Sequence, residues 1–310
     1  MIQGKRKMIY DIAIIGAGPR GLSAAVYGQR AGLSTINFEA NVHGGQIINT
    51  PEVENYPAME RMSGVEFAMN LYNQAVDFGA TIRYEGVTSV ELEGDIKKIR
   101  TDFGEYEAKT VIIATGVTRR KLEIPGEDTM VGRGVSYCAT CDGSFFKDKV
   151  AVVVGGGNTA LEDAVYLTGM CTKVHLIHRR DEFRGVRHEV EKVLRNEKIE
   201  IHYNTIPLEI LGSDKVNGLK VQNKVTGEES VIDTDAVFVA VGLIPHNELF
   251  AGQVRLTEDG YIDSDESCTT NLEGVFVAGD TRKKTLRQLV TAASDGAIAA
   301  TAAYSYLQGK

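Results

Sequence analysis

The chain has 310 residues, enough for about two domains with cores of their own. It is 43% hydrophobic and 25% charged, as soluble globular proteins are, and its four cysteines are too few for a disulfide scaffold. A formal net charge of −8 is the wrong sign for a general nucleic-acid binder, and no run reaches the ~18 apolar residues that a membrane span needs.

Lys5-Arg6-Lys7 ahead of an apolar run has the charge order of a secretion signal. That run contains Asp11 and leads straight into a glycine motif, which cleavage would destroy. The expectation is a protein that stays in the cytoplasm, with neither nucleic acid nor membrane as partner.

Ile9–Ile15 reads as a strand and ends in Gly16-Ala17-Gly18-Pro19-Arg20-Gly21. An alanine-rich amphipathic helix, 22–31, and a second strand, 35–38, follow, the latter ending at Glu39. Strand, glycine turn, helix, strand, acid is the order of a βαβ nucleotide site. The glycines permit a tight turn and close approach of a pyrophosphate to the helix N-terminus. Glu39 is placed to accept a ribose hydroxyl, which suits FAD or NAD and repels a 2′-phosphate.

Val111-Ile112-Ile113-Ala114-Thr115-Gly116 reads as a distant partner strand whose small residues end against the dinucleotide. Cys138-Ala139-Thr140-Cys141-Asp142 comes next. Half of a zinc site is one reading, but zinc needs four ligands, and Cys171 and Cys268 stand alone. Cys171 with His175 and His178 is a conceivable remainder, except that these histidines lie on a strand assigned below to nucleotide binding. No metal is expected. As a redox pair, a two-residue spacer lets a disulfide close and places a thiolate at a helix start. Asp142 either shuttles the proton of thiol–disulfide exchange or is a helix-start acid favoured by the dipole.

The glycine pattern returns 139 residues after the first. A strand over 150–154 leads to Gly155-Gly156-Gly157-Asn158-Thr159-Ala160, then a helix over 161–168 and a strand over 174–177. In place of Glu39 stand His178-Arg179-Arg180, with Arg184 close behind. Guanidinium forks pair with a phosphate dianion, so this half expects the 2′-phosphate of NADP; the plain alternative is a solvated basic face. The closing strand here is Val237 to Gly242. A last strand, Gly274 to Asp280, belongs with the first half, where Asp280 can bond a ribityl or ribose hydroxyl.

The expected architecture is α/β, with two Rossmann-like dinucleotide-binding domains of three layers, the second inserted in the first. The first domain, whose nucleotide is FAD or NAD, covers 1–120 and 247–310, and the second, the NADP half with the dithiol, covers 121–246. The crossovers, 118–126 and 243–248, each contain a proline.

Several blocks together resemble the low-molecular-weight thioredoxin reductases of bacteria. These are Gly44-Gly45-Gln46, Glu54-Asn55-Tyr56-Pro57, Ile124-Pro125-Gly126-Glu127, Ser136 to Gly143, Gly155 to Ala160, His178 to Arg184, and Arg287-Gln288 with Thr291-Ala292-Ala293. The resemblance implies FAD on Gly16, Gly18, Pro19, Gly21, Glu39, Gly45, Gln46, Asn55, Thr115, Gly116, Gly279, Asp280, Arg287, Gln288 and Leu289. It implies NADPH on Gly157, Asn158, Thr159, His178, Arg179, Arg180, Arg184 and Gly242. A helix starting near Gln288 would aim its N-terminus at the flavin ring.

The resemblance further implies the route of the electrons, from NADPH to FAD, to the Cys138–Cys141 disulfide, and on to oxidised thioredoxin or a thioredoxin-like small redox protein. Cys141 would lie beside the flavin, Cys138 would attack the partner disulfide and Asp142 would protonate the departing thiolate. The family also implies a homodimer and an inserted domain that rotates. Two departures from its pattern stand out: Asn41-Val42-His43, and Arg20 at a place usually small, its side chain turned to solvent or to an FAD phosphate.

Other readings are weaker. Peroxiredoxin-directed relatives usually carry an extra N-terminal module with its own CxxC, which this sequence lacks. Flavin dithiol oxidases and ferredoxin-linked reductases typically lack the second glycine turn and its arginines. A non-catalytic redox sensor would need neither two nucleotide sites nor Asp142 beside the cysteine pair.

Overall fold

The computed structural model describes residues 8–50 and 52–310; Lys5-Arg6-Lys7, weighed above as a leader, lies outside the described residues. In chain order the elements begin β1 (Ile9–Ile15), α1 (Pro19–Arg30), β2 (Thr35–Phe38), α2 (Gly64–Asp77), β3 (Thr81–Arg83), β4 (Val87–Glu91), β5 (Lys97–Thr101) and β6 (Glu105–Ile113). They continue with β7 (Val117–Arg119), β8 (Val135–Ser136), α3 (Ala139–Asp142), β9 (Val150–Gly155), α4 (Asn158–Thr168), β10 (Lys173–Ile177), α5 (Arg187–Leu194) and β11 (Ile199–His202). The rest are β12 (Thr205–Gly212), β13 (Val216–Asn223), β14 (Glu229–Asp233), β15 (Ala236–Ala240), β16 (Leu243–Pro245), β17 (Val275–Val277) and α6 (Leu289–Gln308).

The chain divides into two compact units, residues 1–118 with 244–310, and residues 119–243. In the first, the strand order is β3-β2-β1-β6-β5-β4, with β17 paired to β6. The pairs among β3, β2, β1, β6 and β17 are parallel, and those of β4 with β5 and β5 with β6 antiparallel. Ile12, Ile14, Ile112 and Phe276 pack under α1 and α6 on one face. Ala13, Ile15, Ile113 and Val277 pack with Phe250, Val254 and Ile262 on the other. Burial on both faces explains why these strands read as unbroken apolar runs. In the second unit a parallel sheet, β11-β10-β9-β15-β8, is joined by the antiparallel β12-β13-β14.

Both nucleotide-turn helices begin earlier than their apolar periodicity suggests. Gly18 caps α1 and Pro19 occupies its first turn, while Gly157 caps α4, whose first residue is Asn158. A proline loses nothing at the start of a helix, because that N–H has no intrahelical partner in any case. Conversely, β6 ends at Ile113 and β17 at Val277, so Thr115, Gly116, Gly279 and Asp280 leave their strands as turn residues.

The start of α6 is tied down by charge. Arg282 is 0% exposed, and its Nε and Nη2 donate to the two carboxylate oxygens of Asp295 at 2.8 and 3.1 Å. Lys284 Nζ (2.9 Å) and the Gly279 N–H (2.8 Å) converge on the same carboxylate. Burial alone would raise the Asp295 pKa, but the Arg282 and Lys284 bonds outweigh it and hold the carboxyl below its ordinary value. A depressed carboxylate pKa stabilises the fold above the unfolded pKa and loses that contribution as pH falls through the folded one. Asp295→Asn leaves buried Lys284 without its carboxylate and Arg282 with only the exposed Glu266, and at pH 7 should lower the urea-unfolding free energy by about 3 kcal/mol. The gap from the parent protein should narrow in acid.

Candidate active site

At the end of β1 the backbone of Gly16 (φ +119°) runs so close to the next parallel strand that a Cβ there would sit 2.3 Å from the Ala114 carbonyl oxygen. The second unit repeats the arrangement: at the end of β9, a Cβ on Gly155 would sit 2.4 Å from Ala240 O. Only glycine fits either place.

Around the first turn, Glu39 Oε2 accepts the Ala17 N–H (3.0 Å) and Oε1 the Asn41 N–H (3.1 Å), which leaves each oxygen a lone pair. Gly44 donates its N–H to Ala17 O (2.8 Å) and brings Gly45 against Gly18. His43, in the atypical segment, stacks on Tyr72 at 4.0 Å between ring centroids. Gln46 and Asn55 are exposed, and Asn55 Nδ2 donates to Gln288 Oε1 (3.2 Å). Gln288 caps α6 in a reciprocal box with Thr291, with Leu289 the first helical residue. Thr115 and Thr281 share a hydroxyl hydrogen bond of 3.1 Å, and Arg287 lies 4.6 Å over the Tyr261 ring.

Among the described residues, the buried side-chain polar atoms without a partner are Arg20 Nε and Nη1, Asn37 Oδ1, Asp280 Oδ1 and Arg287 Nε. Such atoms are rare in folded proteins and ask for a ligand. Guanidinium donors, a carboxylate acceptor and a glycine backbone at a helix start suit a molecule with phosphates and hydroxyls. Arg20 itself is 6% exposed, so its side chain does not turn to solvent.

Around the second turn, Asn158 Oδ1 accepts the Val186 N–H (2.7 Å), and the Arg184 N–H donates to Gly156 O (2.8 Å). Arg179, Arg180 and Arg184 are exposed and make no ion pair among the described residues. Thr159 is exposed as well, and a Cβ on Gly157 or Gly242 would meet open space. His178 differs from the sequence expectation in its surroundings. It is 5% exposed, its ring lies against Gly156 and its Nε2 bonds the Glu182 carbonyl (3.0 Å). Burial lowers its pKa, partly offset by its bond to the Glu182 carbonyl.

The dithiol lies in the second unit. Cys138 and Cys141 are disulfide-bonded, 5.3 Å apart between Cα atoms. Cys138 caps α3, a single turn that continues as a 3₁₀ turn over Gly143–Phe146, so the field at its start is smaller than that of a full helix. The N–H groups of Cys141 and Asp142 donate to Cys138 O at 3.2 and 3.1 Å. Ser136 Oγ donates to Asp142 Oδ2 (2.5 Å) and accepts the Cys138 N–H (3.1 Å). Burial pushes the Asp142 pKa up, against the pull of Ser136 and the Arg119 charge. The site therefore places next to Cys141 a carboxyl whose proton affinity is raised by burial.

Beneath Cys138, the Tyr137 hydroxyl donates to Glu127 Oε1 (2.8 Å), and Glu127 also accepts the N–H groups of Leu122 (2.9 Å) and Glu123 (2.7 Å). Nothing in the spacing of the sequence discloses that knot. Nor does it disclose Asp163 on α4, pushed up to about 7 by burial beside Glu162.

Cys171 and Cys268 are buried free thiols, Cys268 pushed up to about 12, mainly by burial. His175 pairs with His202 (Nδ1 to Nε2, 2.9 Å) next to Glu200, the one cluster of three metal-ligating side chains among the described residues. Cys171 and His178 are not part of it. Both its histidines have lowered pKa values from burial, His175 to about 4, and Glu200 is paired with Lys173.

Residues 10–296 match the family model described as pyridine nucleotide-disulphide oxidoreductase. A thioredoxin reductase of Peptoclostridium acidaminophilum is 46% identical, the alignment covering 97% of this chain and 98% of that protein. The crystal structure of thioredoxin reductase from Streptococcus pyogenes superposes with a TM-score of 0.92 at 41% identity, over 97% of this chain and 99% of that one. Thioredoxin reductase from Giardia duodenalis gives 0.94 at 38% identity, over 97% and 100%. With its paired glycine turns and its bonded cysteine pair, the chain belongs to the pyridine nucleotide-disulphide oxidoreductase family, among the low-molecular-weight thioredoxin reductases.

Proposed function

We propose that the Cys138–Cys141 pair reduces the disulfide of a thioredoxin-type protein and that the two glycine turns hold the nucleotides that feed it. The chain is an NADPH-dependent thioredoxin-disulfide reductase and uses FAD. The observation that carries the residue assignment is the bonded cysteine pair with the raised carboxyl of Asp142 beside it.

FAD is assigned to the first unit, on the turn from Gly16 to Gly21, Glu39, Gly45, Gln46, Asn55, Thr115, Gly116, Gly279, Asp280, Arg287, Gln288 and Leu289. The partnerless buried atoms of Arg20, Asp280 and Arg287 support that reading. NADPH is assigned to the second unit, on Gly157, Asn158, Thr159, Arg179, Arg180, Arg184 and Gly242. The exposed, unpaired arginines support it, and His178 is assigned to holding the turn rather than the coenzyme. When bound, the two nucleotides supply two-electron chemistry, NADPH as hydride donor and FAD as relay.

Two electrons and a proton open the Cys138–Cys141 bond to a thiol and a thiolate. Cys138 Sγ attacks one sulfur of the partner disulfide, and the partner's other sulfur leaves as a thiolate that takes a proton from Asp142. The Cys141 thiol then returns a proton to Asp142 and Cys141 Sγ attacks Cys138 Sγ; the partner's second sulfur leaves as a thiolate that takes a proton from solvent, and the internal bond is restored. The sum is NADPH, a proton and oxidised thioredoxin giving NADP and the dithiol. Burial suits Asp142 to this work, because its proton stays on at a pH where a solvated carboxyl has lost it. The cytoplasm as compartment and a homodimer as assembly are carried over from the family; no described helix is long and apolar enough to cross a membrane.

The decisive assay is NADPH oxidation at 340 nm, with and without oxidised thioredoxin. Cys138→Ser should keep bleaching of bound flavin by NADPH and lose thioredoxin turnover by at least about 10³-fold; retained turnover would name the wrong nucleophile. Arg179→Ala with Arg180→Ala should raise KM for NADPH about 10- to 100-fold and leave NADH kinetics nearly unchanged, whereas an equal loss for both coenzymes contradicts the phosphate assignment. Ser136→Ala removes a hydrogen bond that stabilises the carboxylate. Asp142 should then titrate at higher pH, read from the carboxyl band in infrared difference spectra, and the acid limb of thioredoxin turnover should move the same way.

A further inference from the structure

We propose that Arg20 is a buried anchor for the diphosphate of FAD, held in place by Asp280; this rests on the reading that FAD lies in the first unit. Arg20 is the second residue of α1, inside the glycine motif and at a twelve-residue helix's start. Its guanidinium fills the space that side chains would take at two neighbouring turns. Its Nη1, Nη2 and Cζ lie 3.1–3.3 Å from where a Cβ on Gly116 would be, and its Cδ lies 2.4 Å from the corresponding point on Gly279. Both turns must stay glycine for the arginine to fit.

The pairing around this cation is incomplete. Asp280 Oδ2 stands 3.6 Å from Nη2, close enough to balance charge and too far for a hydrogen bond. Nε and Nη1 are buried without an acceptor, and so is Asp280 Oδ1 without a donor. Desolvated charged groups persist only when something completes their bonding. Asp280 cannot satisfy three guanidinium nitrogens alone, and it forms no shorter contact with them.

A phosphate oxygen supplies both what is missing electrically and what is missing geometrically, an acceptor for a charge-assisted N–H bond at the positive end of a helix. A neutral hydroxyl would answer Asp280 Oδ1 but leave the cation underpaired. The ligand this corner selects therefore carries phosphate and hydroxyl side by side, which the diphosphate–ribityl stretch of a flavin dinucleotide does. Arg20 adds a side-chain contact to a turn that otherwise offers backbone N–H groups.

Titrating apoprotein into FAD, FMN and riboflavin, with binding read from flavin fluorescence, tests the assignment. Arg20→Ala should weaken FAD about 10- to 100-fold and leave riboflavin, which has no phosphate, within twofold. Arg20→Lys should recover part of the loss, and the salt dependence of FAD binding should flatten in Arg20→Ala. Equal weakening of FAD and riboflavin, or unchanged FAD affinity with a lower melting point of the apoprotein, would overturn the proposal and make Arg20 a packing residue. Should Arg20→Ala not fold, Arg20→Met keeps the stem and carries the same comparison. Wild-type apoprotein that fails to bind FAD at all would refute the placement of FAD instead.

Discussion

At the ends of β1 and β9 two backbones approach until no side chain can stand between them. Gly16 faces the Ala114 carbonyl, and Gly155 faces that of Ala240. From that contact follow the sharp exit from each strand, the helix that begins within the glycine motif, and the exposure of first-turn N–H groups to whatever binds there. In both units the contact falls where the strands on either side connect in opposite directions, β2 and β6 about β1, β10 and β15 about β9. A crevice at such a reversal is where open α/β sheets take their ligands.

One backbone device thus serves twice, and side chains make the two copies different. In the first, the cation is Arg20, enclosed and faced by Asp280; in the second, Arg179, Arg180 and Arg184 stand in water. A buried guanidinium without a full set of partners gains most from a ligand that remains, whereas solvated ones bind through screened attraction and let go readily. That contrast suits a resident flavin in one unit and a coenzyme that is consumed and exchanged in the other. Between the two glycine turns in sequence, Asp142 is tuned by a third means. Burial sets its proton affinity, moderated by one serine bond and the charge of Arg119.

The strands and both glycine turns were legible because their signal is local: apolar runs of β-branched residues broken by glycine. The helix starts were not, since Pro19 and Asn158 look like turn residues until the cap is seen. A repeat offset located His178 in the chain but said nothing of its direction, and the ring turned under Gly156. Arg20 posed the same problem, its direction being decided by glycines about 100 and 260 positions away. The bonding of Glu127, Asp163 and the Arg282–Asp295 pair escaped notice for a common reason. Their behaviour comes from enclosure by distant elements, and an isolated acid or arginine in a sequence carries no mark of it.

The two sulfurs outside the working pair, Cys171 and Cys268, are shut inside the two cores with their protons held on. A protein that handles other molecules' sulfur bonds is always at risk of shuffling its own, and here the bystanders are neither ionised nor reachable. Among the four cysteines, a thiol reagent consequently finds its target in the Cys138–Cys141 pair once that bond is opened. With both spare thiols buried, the folded molecule keeps them out of scrambled or cross-linked forms.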